Sequence, residues 1–426
     1  MKKYVRHITL SLSILAAVTL LFSSCIKDTI TTDQVKTYQT ITLYTPVYQA
    51  KSVALAGLNG PSSQAIVQAG KIYIKDNYIY LNDVSKGIHI IDNSNPSSPV
   101  QVAFLSIPGN TDIALKGNIL YADMYSDLLA IDISNPQHAA IRSTLQNFFT
   151  GRNYVNGQLV DAGDQLVVDW IKKDTTVQVC QYYAYSNCNG CQFNMASGTT
   201  IKSNASATTG TAGSMAGMVL IKDHLFAITE MHSLGIVDIT NAATPKLDTS
   251  FFAGYDLQTI FPFEDKLFLG SAVGMFMYDV RDPQHPVALG QFTHGRACDP
   301  VITDGHFAYV TLHAGDGCGG DANELNVIDV HDLQHTQLVK TYPLTKPTGL
   351  GKDGDLLFIC DSTAVKIYDA TKPANLQWLQ EIPSNSPYDI IAGNNRALVV
   401  CNNGLYQYDY SDLQHVRLLS FFATAK

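Results

Sequence analysis

The chain has 426 residues, of which 46% are hydrophobic and 15% charged, and its 28 basic and 37 acidic residues give a net charge of −9. The apolar content excludes an intrinsically disordered chain. The acidic balance argues against a nucleic-acid-binding protein, because phosphate recognition requires clustered Lys and Arg.

The first residues have the features of an export signal. Lys2, Lys3 and Arg6 precede a short apolar run that ends in Phe22-Ser-Ser-Cys25. A basic start, a short apolar run and small residues are typical of a cleaved signal peptide, which predicts a signal over 1–24. The Ser-Ser-Cys ending resembles the lipobox of bacterial lipoproteins, and this resemblance implies that Cys25 is diacylated. The alternative is an ordinary cleaved signal with an unmodified Cys25.

A polar, Thr-rich stretch follows the signal. We interpret residues 25–60 as the lipidated N-terminus and a tether, and residues 61–426 as the folded domain. No later apolar run is long enough to cross a bilayer as a helix. The sequence therefore predicts a protein of the bacterial outer membrane, anchored by lipid, on its periplasmic or cell-surface side.

A repeat dominates the remainder of the chain. Seven segments share one pattern, an apolar strand that ends in Asp and is mostly followed by a turn containing Asn-Pro or Asp-Pro. Their final aspartates are Asp92, Asp132, Asp238, Asp279, Asp329, Asp369 and Asp409. The spacings between these aspartates are 40 or 41 residues, apart from two longer ones of 106 and 50 residues.

The period of about 40 residues is that of a propeller blade with four strands. The strands are nearly continuous apolar runs, which is typical of sheets that are buried on both faces between neighbours. We therefore predict an all-β fold, a seven-bladed β-propeller of four-stranded antiparallel blades. An open solenoid built from the same repeats is the alternative.

Two of the repeat segments carry a family resemblance. Leu234-Gly-Ile-Val-Asp238 and Leu325-Asn-Val-Ile-Asp329 resemble the LVIVD repeat, and the similarity extends over about residues 65–423. The resemblance implies a bladed architecture in a secreted or surface protein. It implies no particular activity.

The two longer spacings locate extra chain. The spacing of 106 residues predicts an insertion at about residues 150–215, between blades two and three, in which residues 165–183 are typical of a β-hairpin. The spacing of 50 residues predicts a longer loop at 313–324 in blade five. In a four-stranded blade both connections emerge on one face of the ring, which we call the top face.

Four aspartates lie near the starts of predicted innermost strands. Asp112, Asp256, Asp299 and Asp389 are expected at the top mouth of the central channel, because the innermost strands line it. An acidic mouth would suit a cationic group or a divalent cation, although the sequence identifies no cofactor. The alternative is that these aspartates only cap the backbone of neighbouring turns.

His313 and Arg296 complete the candidate ligand-binding set. His313 is expected at the end of a strand beside the longer loop of blade five, and Arg296 close to Asp299. Together they could act as a base and an anion anchor in a hydrolase. A polar pair at the rim of a loop explains them equally well.

Seven cysteines lie outside the signal region, and export to an oxidising compartment permits disulfides. Cys298 and Cys318 are expected to be neighbours at the top of blade five, and we predict a disulfide between them. Cys360 and Cys401 occupy equivalent positions in adjacent blades, and we predict two buried free thiols.

The remaining three cysteines, Cys180, Cys188 and Cys191, belong to the insertion, and their pairing stays open. Cys188-Asn-Gly-Cys191 would suit a redox pair or part of a zinc site, but zinc requires further ligands. A structural bridge from Cys180 to Cys188 or Cys191 is the favoured alternative.

The sequence contains no H-E-x-x-H, G-x-S-x-G or P-loop motif, so we assign no catalytic residue and no metal ligand. The favoured function is a non-catalytic envelope scaffold that binds an unknown protein, glycan or small ligand through its top face. The alternative is an extracellular propeller enzyme, a hydrolase or lyase, which uses polar residues at the channel mouth.

Overall fold

The protein is described here by a computed structural model that covers residues 37–179, 211–297, 300–315 and 320–425. The chain divides into two compact units. The first comprises residues 1–43 and 172–192, and the second comprises residues 44–171 and 193–426. Among the described residues, no helix is both long and apolar enough to cross a membrane.

The described part of the predicted tether contains regular structure. It consists of β1 (Thr37–Ala50), the helix α1 (Lys51–Ala56) and β2 (Asn59–Gly60). The short β2 pairs with the outer edge of the first blade, and the side chain of Asn59 exchanges two hydrogen bonds of 2.9 Å with the backbone of Ala139 in blade two. These contacts cover an edge strand that would otherwise expose unpaired backbone groups.

The first two blades precede the insertion. Their strands are β3 (Ala69–Lys75), β4 (Tyr78–Asp83), β5 (Gly87–Asp92), β6 (Val100–Ser106), β7 (Ile113–Lys116), β8 (Ile119–Met124), β9 (Asp127–Asp132) and β10 (Ala140–Leu145). A 3₁₀ turn at Pro136–His138 connects the last two of these strands.

The insertion leaves blade two after β10. Its described elements are a 3₁₀ turn at Thr150–Arg152, β11 (Tyr154–Val155), β12 (Gln158–Leu159), β13 (Gln165–Val179) and β14 (Thr211–Ala212). The predicted hairpin is wrong over its described residues, because β13 continues as one strand and forms a two-stranded sheet with β1. The pattern identified a strand but not its partner, which lies more than a hundred residues earlier in the chain.

Five blades follow the insertion. Their strands are β15 (Met218–Ile221), β16 (His224–Glu230), β17 (Ser233–Asp238), β18 (Lys246–Phe252), β19 (Leu257–Phe263), β20 (Lys266–Ser271), β21 (Gly274–Asp279), β22 (Val287–Thr293), β23 (Val301–Thr303), β24 (Phe307–Leu312), β25 (Glu324–Asp329), β26 (Gln337–Pro343), β27 (Pro347–Asp353), β28 (Leu356–Asp361), β29 (Ala364–Asp369), β30 (Gln377–Pro383), β31 (Pro387–Gly393), β32 (Arg396–Cys401), β33 (Gly404–Asp409) and β34 (Arg417–Ala423). A 3₁₀ turn at Pro373–Asn375 precedes β30.

All seven blades have the predicted architecture of four antiparallel strands in chain order. The first strands of neighbouring blades contact one another around the whole ring, including β31 with β3. Closure between blades seven and one uses a parallel bridge from Ile66 to Thr424 and paired hydrogen bonds between Asn93 and Gln407. The open-solenoid alternative is therefore excluded, and the first strands line a central channel.

The repeated aspartate has one role in every blade. It is the last residue of the third strand, and its carboxylate accepts the backbone N–H two residues later, which fixes the turn into the fourth strand. Hydrogen bonds from the side chain and from the backbone N–H of the residue two positions later together lower the pKa of all seven carboxyl groups. The register between the third and fourth strands also shifts in every blade, and such bulges increase local twist.

Candidate functional site

The two described aspartates that belong to the channel lining are enclosed by protein. Asp112 immediately precedes β7, and Asp389 lies in β31. Their exposed fractions are 0% and 1%. Both carboxylates therefore contact other parts of the chain rather than solvent, and their neighbours determine what they can do.

Those neighbours belong to the end of the insertion, residues 211–217, which we call the channel segment. Its first two residues form β14 and pair with Tyr73 and Ile74 of β3 in blade one. Its later residues form hydrogen bonds with the first strands of blades four and six, through Ile260 N–H (2.6 Å) and Leu350 N–H (2.9 Å). A segment bonded to first strands across the ring must lie inside the channel that those strands line.

Both enclosed carboxylates hold this segment. Asp389 accepts the backbone N–H of Ser214 at 2.9 Å and its hydroxyl at 3.2 Å. Asp112 accepts the backbone N–H of Gly217 at 3.0 Å. Each aspartate thus satisfies a backbone donor that the closed channel removes from water, which would be costly to leave unpaired.

The channel segment fits because five of its seven residues are small. It contains two alanines, two glycines and a serine. A Cβ atom added at Gly213 would lie 1.9 Å from a carboxylate oxygen of Asp389, closer than any real contact. The close approach of the backbone to Asp389 therefore requires glycine at this position.

A buried lysine accompanies the two aspartates. Lys71 lies on β3 with an exposed fraction of 5%, and its Nζ is 3.9 Å from a carboxylate oxygen of Asp112. Burial lowers the pKa of Lys71 to about 8, against the opposing influence of Asp112 and Asp389. Burial also raises the pKa of both carboxyl groups to about 7.

The start of the insertion, like its end, is held by buried side-chain contacts. Arg152 is buried and donates hydrogen bonds to the carboxylate of Asp123 and to the hydroxyl of Thr111, at 3.0 Å for the latter. Its guanidinium also stacks 4.1 Å from the ring of Phe149. Asp123 in turn accepts the backbone N–H of Asp112, so this ion pair continues into the channel lining.

These contacts favour the structural alternative for Asp112 and Asp389, in which they cap backbone groups. The cationic group beside Asp112 is Lys71 of the protein itself. Among the residues that the structure describes, no three His, Cys, Asp or Glu side chains come together as metal ligands. Asp299, the fourth predicted carboxylate, lies outside the described residues.

Asp256 and Arg296 form a separate pair on the top face, in which Arg296 is exposed and Asp256 is half-buried. Asp256 immediately precedes β19, and its carboxylate accepts a hydrogen bond of 2.9 Å from the guanidinium of Arg296 in the loop after blade four. The expected position of Arg296 beside Asp299 stays a prediction, because Asp299 lies outside the described residues. His313 follows β24 at the start of the enlarged loop of blade five and is half-buried.

Sequence reasoning missed the aromatic residues beside this pair. Phe252 ends β18, Tyr255 lies in the loop that follows it between blades three and four, and their ring centroids are 5.0 Å apart. His232, from the adjacent loop of blade three, lies 5.6 Å from Tyr255. The sequence feature that could have indicated this cluster is the presence of two aromatic residues only three positions apart at the junction of two blades.

An open cleft of about 320 Å³ lies on the opposite face, between blades five and six. Two ion pairs lie at this cleft, since Lys352 lies 3.1 Å from Asp304 and His331 lies 2.7 Å from Asp329. The rings of His306 and His331 are in contact, with centroids 4.6 Å apart. This cleft was not predicted from the sequence.

The prediction of buried free thiols at Cys360 and Cys401 is confirmed. Burial raises the pKa of both thiols, that of Cys401 to about 12. Cys25, Cys180, Cys188 and Cys191 lie outside the described residues. Cys298 and Cys318 do as well, so their disulfide stays a prediction.

Solved structures share the fold. A protein from Lactobacillus plantarum is 12% identical, with a TM-score of 0.54, over 84% of this chain and 97% of its own. The periplasmic gluconolactonase PpgL of Pseudomonas aeruginosa is 10% identical, with a TM-score of 0.53, over 84% of this chain and 96% of its own. At such low identities the similarity concerns the fold alone. None of the curated proteins matches the sequence.

A family model for the LVIVD repeat matches residues 68–104 and 109–144, which correspond to blades one and two. The other five blades have the same four strands and end their third strand at the same aspartate. This chain is therefore a seven-bladed β-propeller that contains LVIVD repeats.

Proposed function

We propose that this protein is a non-catalytic binding scaffold of the bacterial outer membrane that engages a protein, glycan or small ligand through the top face of its propeller. One contrast carries the proposal. The carboxylates inside the channel are enclosed and bound to the channel segment, whereas on the top face the guanidinium of Arg296 is exposed to solvent and its partner Asp256 is half-buried.

The same contrast argues against the enzyme alternative at the channel mouth. A general acid or base must come within hydrogen-bond distance of its substrate. Asp112 and Asp389 already bind backbone N–H groups, so a substrate would have to displace the channel segment to reach them. Exposed groups on a rigid ring of blades are better suited to recognition, because loops on such scaffolds commonly carry binding residues.

A ligand screen tests the binding site. The full chain, purified in mild detergent, is heated with saccharides, short peptides, organic acids and amines, and ligands are identified by a raised Tm. We expect the stabilisation to be lost in Arg296→Ala and kept in His331→Ala, a variant of the cleft on the opposite face. Ligand stabilisation that is lost in His331→Ala and kept in Arg296→Ala would contradict a top-face site.

Mass spectrometry of the recovered ligand tests the enzyme alternative in the same samples. A scaffold returns the ligand unchanged after prolonged incubation. If hydrolysis or elimination products accumulate with the wild type, the scaffold proposal is wrong and the protein is a hydrolase or lyase.

The membrane location is proposed from the lipobox-like ending at Cys25. Stable membrane anchoring requires more than one acyl chain, and a diacylated N-terminal cysteine carries two. We expect Cys25→Ser to release the protein from the outer-membrane fraction. Unchanged membrane retention of this variant would contradict the lipid anchor, and protease added to intact cells would distinguish the cell-surface side from the periplasmic side.

A further inference from the structure

Three rings form an exposed aromatic patch on the top face, between blades three and four. It consists of His232, Phe252 and Tyr255. The exposed fractions are 56% for Phe252 and 61% for Tyr255. The ring of Tyr255 stands edge-on to both neighbours, at interplanar angles of 74° to Phe252 and 69° to His232.

This arrangement keeps the patch fixed in place. Edge-to-face contacts between rings are favourable, so the three side chains hold one another without burial in the core. The backbone beneath them is also fixed, because Ala253 N–H and Leu257 N–H donate hydrogen bonds of 2.9 Å and 2.7 Å to the carbonyl groups of His232 and Met231. The patch is thus preorganised, and little conformational entropy would be lost on binding.

Polar groups of defined direction border the patch. The backbone N–H of Asp256 donates to Nδ1 of His232 at 3.2 Å, which leaves Nε2 of the neutral ring to carry the proton. The carboxylate of Asp256 and the guanidinium of Arg296 lie side by side at 2.9 Å. A hydrogen-bond acceptor and a set of donors are therefore adjacent, next to exposed aromatic rings.

We propose that this patch binds a saccharide with uncharged pyranose rings, which stacks a sugar ring on Tyr255 or Phe252 and presents its hydroxyl groups to Asp256 and Arg296. A pyranose ring has one face of C–H groups, which packs on an aromatic ring, and an edge of hydroxyl groups. Neighbouring hydroxyl groups can donate to a carboxylate and accept from a guanidinium at once. The inference rests on the proposed top-face binding function and names its ligand class.

Other occupants fit these groups less well. A wholly apolar peptide or lipid chain would cover Asp256, Arg296 and the Tyr255 hydroxyl without satisfying them, which costs free energy. A strongly charged ligand is not required, because the two charges of the Asp256–Arg296 pair balance each other. A neutral ligand with both an apolar face and many hydroxyl groups matches the whole patch.

Native affinity electrophoresis of the full chain tests the proposal, in gels that contain starch, dextran, laminarin or arabinoxylan. We expect at least one polysaccharide to slow the wild type. Tyr255→Ala should weaken that binding roughly tenfold, the effect of losing about 1.4 kcal/mol of ring stacking, and Tyr255→Phe should restore it. Trp378→Ala is the matched control, because Trp378 is 59% exposed on an outer strand of blade six.

The possible results separate this inference from the proposed function. If no polysaccharide slows the wild type, or if Tyr255→Ala and Trp378→Ala behave alike, the saccharide site is refuted. A non-saccharide ligand whose stabilisation is lost in Arg296→Ala would then leave the top-face function standing. Thermal unfolding checks that Tyr255→Ala is folded, which we expect because this side chain is mostly exposed.

Discussion

The hydroxyl of Ser214 connects two blades through the channel, because it donates to Asp389 of blade seven at 3.2 Å and accepts the backbone N–H of Leu350 of blade six at 2.9 Å. Ser214 belongs to the end of the insertion and lies 175 residues before Asp389 in the chain. The end of the insertion therefore becomes part of the ring's interior.

Ser214→Ala should destabilise the protein. The variant removes the hydroxyl but leaves the buried N–H of Leu350 without its acceptor, and an unsatisfied buried donor costs about 1–3 kcal/mol. Urea unfolding followed by tryptophan fluorescence measures the change. Ser98→Ala is the control in an exposed turn, where we expect a change within about 0.5 kcal/mol. Equal stabilities of the two variants would contradict the role of Ser214.

Gly213→Ala should displace the channel segment rather than only strain it. The added Cβ would lie 1.9 Å from one oxygen of Asp389 and 2.5 Å from the other, so the backbone must move away from the carboxylate. Hydrogen–deuterium exchange of peptides covering residues 211–217 measures this movement. We expect faster exchange at Ser214 and Gly217, whose amides the two aspartates hold.

Gly393→Ala provides the matched control. Gly393 ends β31, on the same strand as Asp389, and an added Cβ there meets nothing within 4 Å. Exchange of the channel segment should be unchanged in this variant. If Gly213→Ala also exchanges like the wild type, the segment does not lie against Asp389 as described.

The ring of blades was predictable from the sequence because its determinants are local and repeated. Asp238 and Asp409 fix the same turn with the same hydrogen bond, so the pattern shows directly along the chain. The path of the insertion was not predictable in this way. The small residues around Gly213 contain no periodic signal, and their partners Asp112 and Asp389 are distant in sequence and already suggested a different role, an open acidic mouth.

The top-face site was predictable in part. Asp256 was selected from its position near the start of an inner strand and Arg296 from its closeness to Asp299, and the structure pairs Arg296 with Asp256. Phe252 and Tyr255 were missed because isolated aromatic residues in a chain rich in tyrosine are most often part of the core. Only the loop geometry between blades three and four brings their rings into contact on the surface.

The pH dependence of stability should depend on Asp389. Burial raises the pKa of this carboxyl from 3.8 to about 7 in the folded protein. Between these values the folded state keeps the proton that the unfolded state releases, so ionisation favours unfolding. The contribution of Asp389 to the free energy of unfolding therefore falls as the pH rises from 4 to 7, by at most about 1.4 kcal/mol per pH unit.

Asp389→Asn isolates this contribution, because asparagine keeps an oxygen that can accept from Ser214 but does not titrate. Urea unfolding of the variant and the wild type at several pH values gives the difference between their stabilities. We expect the free energy of unfolding of the variant to increase relative to that of the wild type as the pH rises from 4 to 7. A difference that is constant over this range would show that Asp389 ionises normally.

Cys360 and Cys401 should resist thiol reagents until the protein unfolds. Both side chains are buried, and burial raises the pKa of both thiols, so the reactive thiolate is scarce and inaccessible. Iodoacetamide labelling at pH 8, followed by peptide mapping, should modify these two residues only after denaturant is added. The same map gives the behaviour of Cys298 and Cys318, which we expect to be labelled only after reduction if their predicted disulfide forms. Labelling of Cys360 or Cys401 in the native protein would mean that the packing between blades six and seven opens far more readily than their contacts imply.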